Sequence, residues 1–481
     1  MKTFRINFIA VELFIITILF FSITPILSWD SGHYLKYLET LNGNASFSSW
    51  DIARGIVFPY LIKISTDVFG HTLNGIMVMM FIFYLLSFYI IKMSLKQLFP
   101  KNNLVYVLFI VLFALDALIF GWYHVLLTEF VASTITIVAI YLGYWYTFNS
   151  YENSKIKFIV VSILFLILIP ISWHLKQPYI LLTLIPLVIS VISSYFLSKK
   201  NNTKKTKYIK ISILIMSLFL TFLSIQYWKD HLKNHNNNMA EKRSSKYFLA
   251  KQITTGVRFI GDGKINLYSD LTTTIKQNTI LDNEEKQDLI KIFDDGMNIK
   301  SSVLFLKYNF LHHPYLLFEG YIKNYLSIAN LVDHEFYENK AIAYRCYQDS
   351  IKNTFHMPPY EKYIVNFKQV IDESLVGKFF SKLIKKSDIM FSLLLILAPI
   401  LMIISFIQIR KSSDELYIRK MYMVFLINFL AFIHVFEHAF LGAIIDRYAF
   451  PVYPILLLSI IIVFVEVLKK LNFMNFVRNK V

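Results

Sequence analysis

The sequence predicts an all-α polytopic membrane protein with about ten transmembrane helices and a large, mainly helical exoplasmic insert. Of its 481 residues, 56% are hydrophobic, and the mean hydropathy is +0.51. Long apolar runs also recur along the chain. A soluble globular protein is nearer ~45–50% apolar and does not repeat runs of this length.

Ten apolar runs are long enough to cross the ~30 Å hydrocarbon layer of a bilayer. They lie at residues 7–27, 72–93, 103–121, 125–146, 157–173, 178–197, 209–227, 388–409, 419–440 and 449–468. The first follows a basic start and is too long for a signal-peptide core, so we interpret it as a retained span. The runs predict an N-terminal transmembrane module (1–227, seven spans), an exoplasmic insert (228–387) and a C-terminal transmembrane module (388–481, three spans).

The net charge of +17 is concentrated beside the ends of these runs. Alternate connections are basic, and both termini belong to that set; examples are Lys155, Lys199–Lys205 and Arg410. By the positive-inside rule, the basic connections and both termini should be cytoplasmic. This distribution explains the charge without nucleic acid as a partner. Cys346 is the only cysteine, which excludes an intrachain disulfide. The richness in Lys, Ile, Asn and Phe favours an AT-rich genome and a bacterial plasma membrane.

The exoplasmic connections contain further predicted helices. Between the first two spans, Tyr34, Tyr37, Leu38 and Leu41 fall at helical spacing before an Asn-Gly stop signal. In the insert, helices are expected near 284–293 and 300–330. The aromatic weight of the second favours a helix resting on the membrane face or over a site.

Ionisable residues gather at the exoplasmic ends of the spans, which is informative because charge near a bilayer is unfavourable. Each of these residues alone can be explained as a capping or snorkelling group, and Asp30 can cap the helix after it, act as a base, or both. Together they predict a polar cavity that contains both carboxylates and cations. The residues concerned are Asp30, Arg54, Glu129, Lys176, Glu437 with His438, and Asp446-Arg447 with Tyr448.

A mixture of carboxylates and cations suits transfer chemistry on a lipid-linked phosphate. Arginine and lysine bind phosphate, and a carboxylate can accept the proton of an acceptor hydroxyl. Aromatic residues in the outer connections suit sugar stacking, but for most of them we expect a place in the interfacial belt. They are Trp29, Tyr34, Tyr37, Trp50, Trp122, Tyr123, Trp173 and Tyr179.

His434-Val435-Phe436-Glu437-His438 matches the H-x-x-E-H string of some zinc peptidases. A five-residue match is weak, and no soluble catalytic domain surrounds it, so a metallopeptidase is disfavoured. We interpret Glu437 and His438 as lining the outer cavity, with no metal ligands assigned; a bound divalent cation stays an open alternative. Glu12 and Asp116 lie inside predicted spans, where pairing with neighbouring helices is expected.

The chain resembles the C superfamily of membrane glycosyltransferases, which use polyprenyl-phosphate sugars, and distantly its protein mannosyltransferase and aminoarabinose transferase group. The matching features follow in order on one side of the membrane. They are Asp30 in the first outer loop, the Arg-x-x-x-x-Pro-Tyr string at 54–60, Thr128-Glu129, Lys176-Gln177-Pro178, and Arg447-Tyr448-x-x-Pro451. The chain departs from these relatives at Ser31, because many of them carry an Asp-Glu pair where this chain has Asp30-Ser31.

The resemblance implies inverting transfer of a sugar from a polyprenyl-phosphate donor to a glycan, lipid or protein acceptor. It implies that Asp30 is the base or orients the acceptor, with Glu129 as a second catalytic carboxylate. Arg447, Lys176 and Arg54 would bind the donor phosphate, and Tyr34, Glu437, His438 and Tyr448 would line the cavity. Two alternatives stay open: an O-antigen-type polymerase or ligase, and a lipid-glycan transporter or flippase.

Overall fold

The computed structural model of the chain describes residues 2–23, 25, 29–50, 54–100, 102–197, 203–235, 275–276, 282–294, 298–329, 375–440 and 446–471. Within these ranges the regular structure is helical, with no β-strand. The helices are α1 (Lys2–Phe20), α2 (Trp29–Leu41), α3 (Val57–Phe69), α4 (Leu73–Leu98), α5 (Asn103–Ala114), α6 (Ala117–Trp122), α7 (Thr128–Phe148), α8 (Lys155–Leu175), α9 (Ile180–Phe196), α10 (Lys204–Asn234), α11 (Asn283–Ile292), α12 (Ile299–His312), α13 (Pro314–Ala329), α14 (Leu375–Lys411), α15 (Glu415–Phe440) and α16 (Tyr453–Lys470). Short 3-10 helices lie at Phe47–Ser49, Gln177–Tyr179 and Asp446–Val452.

Eight helices in the described part of the chain are long and apolar enough to cross a membrane. They are α4, α7, α8, α9, α10, α14, α15 and α16, each overlapping a predicted span. The prediction of an all-helical protein is therefore confirmed for the described residues, and the eight apolar helices are compatible with an integral membrane protein. The remaining two predicted spans, 7–27 and 103–121, overlap the shorter apolar helices Ala10–Phe20 and Asn103–Ala114.

The helix α7 occupies the centre of the bundle. In its most apolar window 83% of the residues are buried, against 17% in α10 at the periphery. α7 packs on α4, α8, α9, α15 and α16. Small residues allow these close contacts: a Cβ on Gly143 would come within 2.9 Å of the Pro186 carbonyl oxygen on α9. Peripheral helices instead turn apolar side chains such as Phe219 and Phe222 outward, as lipid-facing helices do.

The third predicted span is not one continuous helix. It breaks at Leu115–Asp116 into α5 and α6. Asp116 caps α6, since its carboxylate accepts the backbone N–H groups of Leu118 and Ile119. The same carboxylate accepts the hydroxyl of Tyr453, the first residue of α16. The pairing expected for Asp116 is therefore present, and it joins the break to a neighbouring helix.

Glu12 shows the other expected pairing inside a span. Its Oε1 lies 2.6 Å from the Nζ of Lys92, so α1 and α4 are joined by an ion pair. The Glu12 side chain is only 6% exposed. A carboxylate buried to this degree requires such a partner.

The connection between α1 and α4 contains the predicted short helix, but α2 already begins at Trp29 rather than after Asp30. Asp30 therefore lies within the first turn of α2 rather than before it, which does not match the N-cap position, one of the two interpretations of this residue. The expectation of an aromatic belt is also wrong for several residues, because they pack inside the protein. Buried examples are Tyr34, Tyr37, Trp50, Trp122, Tyr123 and Tyr179, and Tyr37 stacks on Trp50 with ring centroids 4.1 Å apart.

In the insert, helix α11 confirms the predicted helix near 284–293. The second predicted helix, 300–330, is divided into α12 and α13 at Pro314, since proline lacks the N–H that would continue α12. α13 packs against α14, α15 and the 3-10 helix Asp446–Val452. The amide of Asn324 donates to the carbonyl of Ala439 at 3.1 Å. The insert thus contributes a helix that supports the end of α15.

The basic ends of several helices meet at one end of the bundle, which we call the basic end. Lys420 near the start of α15 lies 2.8 Å from Glu466 near the end of α16. Both Lys420 and Lys469 lie over the ring of Phe99, directly after α4. The other end of the bundle, where α7 and α9 begin and α8 and α15 end, we call the site end.

Candidate functional site

Glu129 and Lys176 form an ion pair at the site end. The Lys176 Nζ lies 3.5 Å from the Glu129 Oε1. Glu129 is in the first turn of α7, where the helix dipole favours a negative charge. Lys176 follows the last residue of α8 in an extended conformation, immediately before the 3-10 helix Gln177–Tyr179. Two of the charged residues that the sequence placed at one level of the bundle, 47 positions apart in the chain, are therefore in contact.

Lys176 also lies against two tyrosine rings. Its Nζ is 3.6 Å from the ring centroid of Tyr448 and 5.4 Å from that of Tyr179. A cation over an aromatic face is attracted by the ring quadrupole. The Lys176 side chain is 19% exposed, whereas the Glu129 side chain is 2% exposed. The ammonium group is thus the accessible member of the pair.

Arg54 joins the same site through the backbone. It forms an isolated antiparallel bridge with Lys176, and its guanidinium lies 5.6 Å from the ring centroid of Tyr34. The next residue, Gly55, approaches the end of α8 so closely that an added Cβ would lie 1.5 Å from the His174 carbonyl oxygen. The absence of a side chain at Gly55 is what lets the Arg54 segment lie beside Lys176.

The side chains of Asp30 and Arg447 lie outside the described residues, but the backbone of both is placed. Asp30 precedes Ser31, whose hydroxyl donates to the Leu126 carbonyl at 2.7 Å. Leu126 lies just before α7, so the start of α2 adjoins the start of α7. Arg447 lies in the 3-10 helix Asp446–Val452, directly before Tyr448. The segments carrying both predicted residues therefore meet the site.

The last turns of α15 add buried polar groups beside Tyr448. The His438 ring is 4.9 Å from the Tyr448 ring and 4.6 Å from the His434 ring, measured between centroids. The His434 Nε2 donates to the Tyr448 carbonyl at 2.8 Å, which leaves its Nδ1 as the lone-pair nitrogen. That Nδ1 lies 4.0 Å from the Glu437 Oε2. Glu437 and His438 thus lie near Tyr448 at the site end.

His434 and Tyr179 adjoin the site, although the sequence analysis assigned neither of them to it. The i, i+4 spacing of His434 and His438 already put both on one helical face, and this was the available signal for His434. Nothing in the sequence distinguished Tyr179, now fully buried, from tyrosines of an interfacial belt. Among the described residues no group of three or more His, Cys, Asp or Glu has a metal-binding arrangement.

Two other buried ion pairs, Glu12–Lys92 and Lys420–Glu466, show what distinguishes the site. Each joins two helices, as expected of charges in a membrane bundle. The Glu129–Lys176 pair instead adjoins two tyrosine rings, a backbone-paired arginine and a buried histidine pair. An arrangement with an accessible cation, a carboxylate and buried hydrogen-bonding groups can bind an anionic ligand and accept a proton.

Comparison of the chain with protein families, with curated proteins and with solved structures found no match. The geometry of the described residues is what supports a function.

Proposed function

We propose that the protein is a membrane glycosyltransferase that moves a sugar from a polyprenyl-phosphate donor to a glycan, lipid or protein acceptor at the outer membrane face. The observation that carries the proposal is the contact of Lys176 with Glu129 and Tyr448, at 3.5 and 3.6 Å. These three residues come from separate parts of the chain. They bring a cation, a carboxylate and an aromatic ring together at the site end of the bundle.

Lys176 is the proposed ligand of the donor phosphate. Without donor, Glu129 neutralises it at 3.5 Å, longer than the ~2.7–2.9 Å of a close charge-assisted hydrogen bond. A phosphate can therefore compete for the ammonium group, which is partly accessible. Arg54 and Arg447, whose segments adjoin Lys176 and Tyr448, are the proposed additional phosphate ligands.

In the proposed reaction an acceptor hydroxyl gives its proton to a carboxylate, and its oxygen attacks the sugar C1 opposite the phosphate. The new C1–O bond forms as the C1–O bond to phosphate breaks. The polyprenyl phosphate leaves with that electron pair, and the cations stabilise its added charge. Asp30 is the proposed base, and Glu129 releases or repositions Lys176 as the phosphate binds.

The proposal includes a topology with ten crossings, both termini in the cytoplasm of a bacterial cell and the insert 228–387 outside. Supporting it, α5 and α6 together lead from Phe99 at the basic end to α7 at the site end. α1 likewise ends near the site end, where the Phe20 carbonyl lies 2.9 Å from the His124 Nε2. With the basic end facing the cytoplasm, the site would face the outer leaflet.

The test is complementation of a strain that lacks the gene, with mass spectrometry of its surface glycans. Lys176→Met should reduce transfer on the order of 100-fold, since a cation at the leaving group is lost. Asp30→Asn should reduce transfer ~10²–10⁴-fold through loss of the base. Lys36→Met is the matched control, because Lys36 is an exposed lysine on α2, and it should restore the glycan fully.

The same spectra separate the alternatives. A missing sugar in the deletion strain supports glycosyl transfer. Shortened glycan chains would instead indicate a polymerase or ligase, and an unchanged lipid-linked glycan accumulating inside the cell would indicate a flippase. Full restoration by both Lys176→Met and Asp30→Asn would exclude the proposed mechanism.

A further inference from the structure

Helix α13 of the insert lies beside the apolar, membrane-crossing parts of two other helices. The Tyr325 hydroxyl on α13 donates to the Leu395 carbonyl of α14 at 2.9 Å. The Tyr325 ring also lies 5.8 Å from the ring of Phe432 on α15, measured between centroids. Leu395 and Phe432 both belong to stretches that are long and apolar enough to cross a membrane. The second half of α13 is therefore beside two such stretches at once.

The Leu395 carbonyl needs a donor from outside its own helix. In a regular helix it would accept the backbone N–H four residues further on, but that residue is Pro399, which has no N–H. Within hydrocarbon no water can replace the missing donor, so a neighbouring helix has to supply it. The Tyr325 hydroxyl does this. α13 thus completes the hydrogen bonding of α14 at a position inside its apolar stretch.

Two helices give a similar depth for this contact. Leu395 lies six residues into the crossing stretch of α14, which begins at Ile389. Phe432 lies eight residues before Phe440, the last residue of α15. At ~1.5 Å per residue, these positions are ~9 and ~12 Å from the site end. That is most of the way through one leaflet, whose hydrocarbon is ~15 Å thick.

α13 enters from the site end and descends along α15. The Tyr321 ring lies 5.2 Å from that of Phe440 at the end of α15. Tyr325, one turn later on α13, instead lies against Phe432, two turns further along α15. A helix lying flat across the bundle end would not change its partner in this way. The contacts therefore describe a helix that runs inward from the site end.

The side of α13 that faces away from α14 and α15 is apolar and exposed. Phe318, Ile322 and Leu326 are exposed and recur at helical spacing. Leu393 and Ile396 of α14, which flank Leu395 in the sequence and so lie at its depth, are exposed too. Apolar side chains turned outward at this level of a crossing helix contact lipid. The stripe on α13 continues that surface.

The charged residues beside this stripe are neutralised. Glu319 and Lys323 form an ion pair at 2.6 Å along one edge of α13. Both precede Tyr325 and therefore lie nearer the membrane surface, where a long lysine side chain can extend its ammonium group into water. The pair is compatible with an embedded helix whose apolar stripe lies on the other side of the exposed face.

We propose that α13 is embedded in the leaflet at the site end, with the acyl chains of membrane lipids packed on Phe318, Ile322 and Leu326. The insert 228–387 then has an intramembrane part, which supplies the hydrogen bond missing at Pro399. This inference does not depend on sugar transfer, and its tests do not measure it.

The first test places a single nitroxide label on α13, in a Cys346→Ser background because Cys346 is the only native cysteine. Ile322→Cys and Leu326→Cys are labelled in liposomes, and their collision rates are measured with O₂, which concentrates in hydrocarbon, and with a water-soluble nickel complex. Both labels should favour O₂ as strongly as Leu393→Cys on α14, and Leu326→Cys more strongly than Ile322→Cys. Ala45→Cys, at an exposed residue in a connection, is the control that should favour nickel.

Two results of this test would overturn the inference. Nickel accessibility equal to that of Ala45→Cys would place the stripe in water. Protection from both reagents would mean that protein, rather than lipid, covers it.

The second test examines the hydrogen bond at the proline. Tyr325→Phe should lower the melting temperature of the full chain in nanodiscs, because the Leu395 carbonyl loses its donor. In a Pro399→Ala background the same substitution should lower it much less, since alanine restores the backbone N–H. Tyr315→Phe, at an exposed tyrosine of α13, is the matched control and should melt as the wild type does. An equal loss in both backgrounds would contradict the role assigned to Tyr325.

Discussion

The absence of a side chain at Gly55 allows the backbone bridge between Arg54 and Lys176. The left-handed glycines among the described residues are Gly43 and Gly70, and Gly55 is not one of them. The requirement at Gly55 is therefore space rather than backbone conformation. A Cβ there would lie 1.5 Å from the His174 carbonyl oxygen and 2.1 Å from its carbonyl carbon, and a backbone carbonyl cannot move aside as a flexible side chain would.

Gly55→Ala should separate the Arg54 segment from the end of α8. We expect a loss of about 3 kcal/mol in stability, at the upper end of overpacking effects, together with loss of transfer because Lys176 is displaced. Thermal unfolding in nanodiscs and the glycan assay measure the two effects.

Gly43→Ala is the control for this substitution. A Cβ at Gly43 meets nothing within 4 Å, but its φ is +81°, so the strain should be about 1 kcal/mol and transfer should persist. Equal effects of the two substitutions would show that the close approach at Gly55 does not hold the site together.

The break between α5 and α6 is the element that ties the middle of the bundle to the site. Asp116 caps α6 and accepts the Tyr453 hydroxyl, and Tyr453 begins the helix that follows the segment containing Tyr448. The backbone N–H of Ala117 donates to the Ser387 hydroxyl at 3.1 Å on α14. Three helices from distant parts of the chain therefore depend on this one break.

Asp116→Ala should destabilise the protein by about 2–4 kcal/mol, the sum of a lost cap and a lost buried hydrogen bond. Asp116→Asn should lose much less, because asparagine is an equally good cap and its side-chain NH₂ group, in place of Oδ2, can donate to the Tyr453 hydroxyl oxygen. Melting temperatures in nanodiscs measure both. Tyr453→Phe removes the interhelical bond alone and should fall between them. If Asp116→Ala and Asp116→Asn have the same melting temperature, the side-chain cap on α6 does not contribute to stability.

Helices could be predicted where the signal was the length and apolar content of a run. They could not be predicted where a single residue determined the end of a helix. The runs that became α8 and α9 were placed within a few residues, because about 20 apolar residues have few alternatives to crossing a membrane. The same averaging over a window concealed Asp116, since one carboxylate barely lowers the hydropathy of the run around it. Pro314 was a visible break signal that the aromatic pattern of 300–330 outweighed.

At the scale of the whole molecule, the order of the spans and the end of the span at which each residue lies indicated which residues would be close together. Glu129, Lys176 and Tyr448 were placed at the same end of alternate spans, and the structure brings them into contact. What could not be predicted was which side of a helix each aromatic residue would face. Trp50 at a membrane boundary fits a belt or a core equally well, and its burial follows from the stacking partner Tyr37, which only the fold supplies.

The orientation of the whole bundle can be tested with two cysteines, because Cys346 is the only native one and Cys346→Ser removes it. Ala45 and Ser413 are exposed residues in short connections, Ala45 after α2 and Ser413 between α14 and α15. Ala45→Cys should react with a membrane-impermeant maleimide on intact cells. Ser413→Cys should react only after permeabilisation, since Arg410, Lys411 and Arg419 around it favour the cytoplasm.

The parity of the crossings makes this labelling experiment decisive. If the broken pair α5–α6 crosses the bilayer, seven expected spans lie between Ala45 and Ser413. Because seven is an odd number, the two cysteines should lie on opposite sides of the membrane. Labelling from the same side would mean that α5–α6 does not cross. Reversed labelling would place Lys176 and Glu129 on the cytoplasmic side, where sugar transfer at the outer face is impossible.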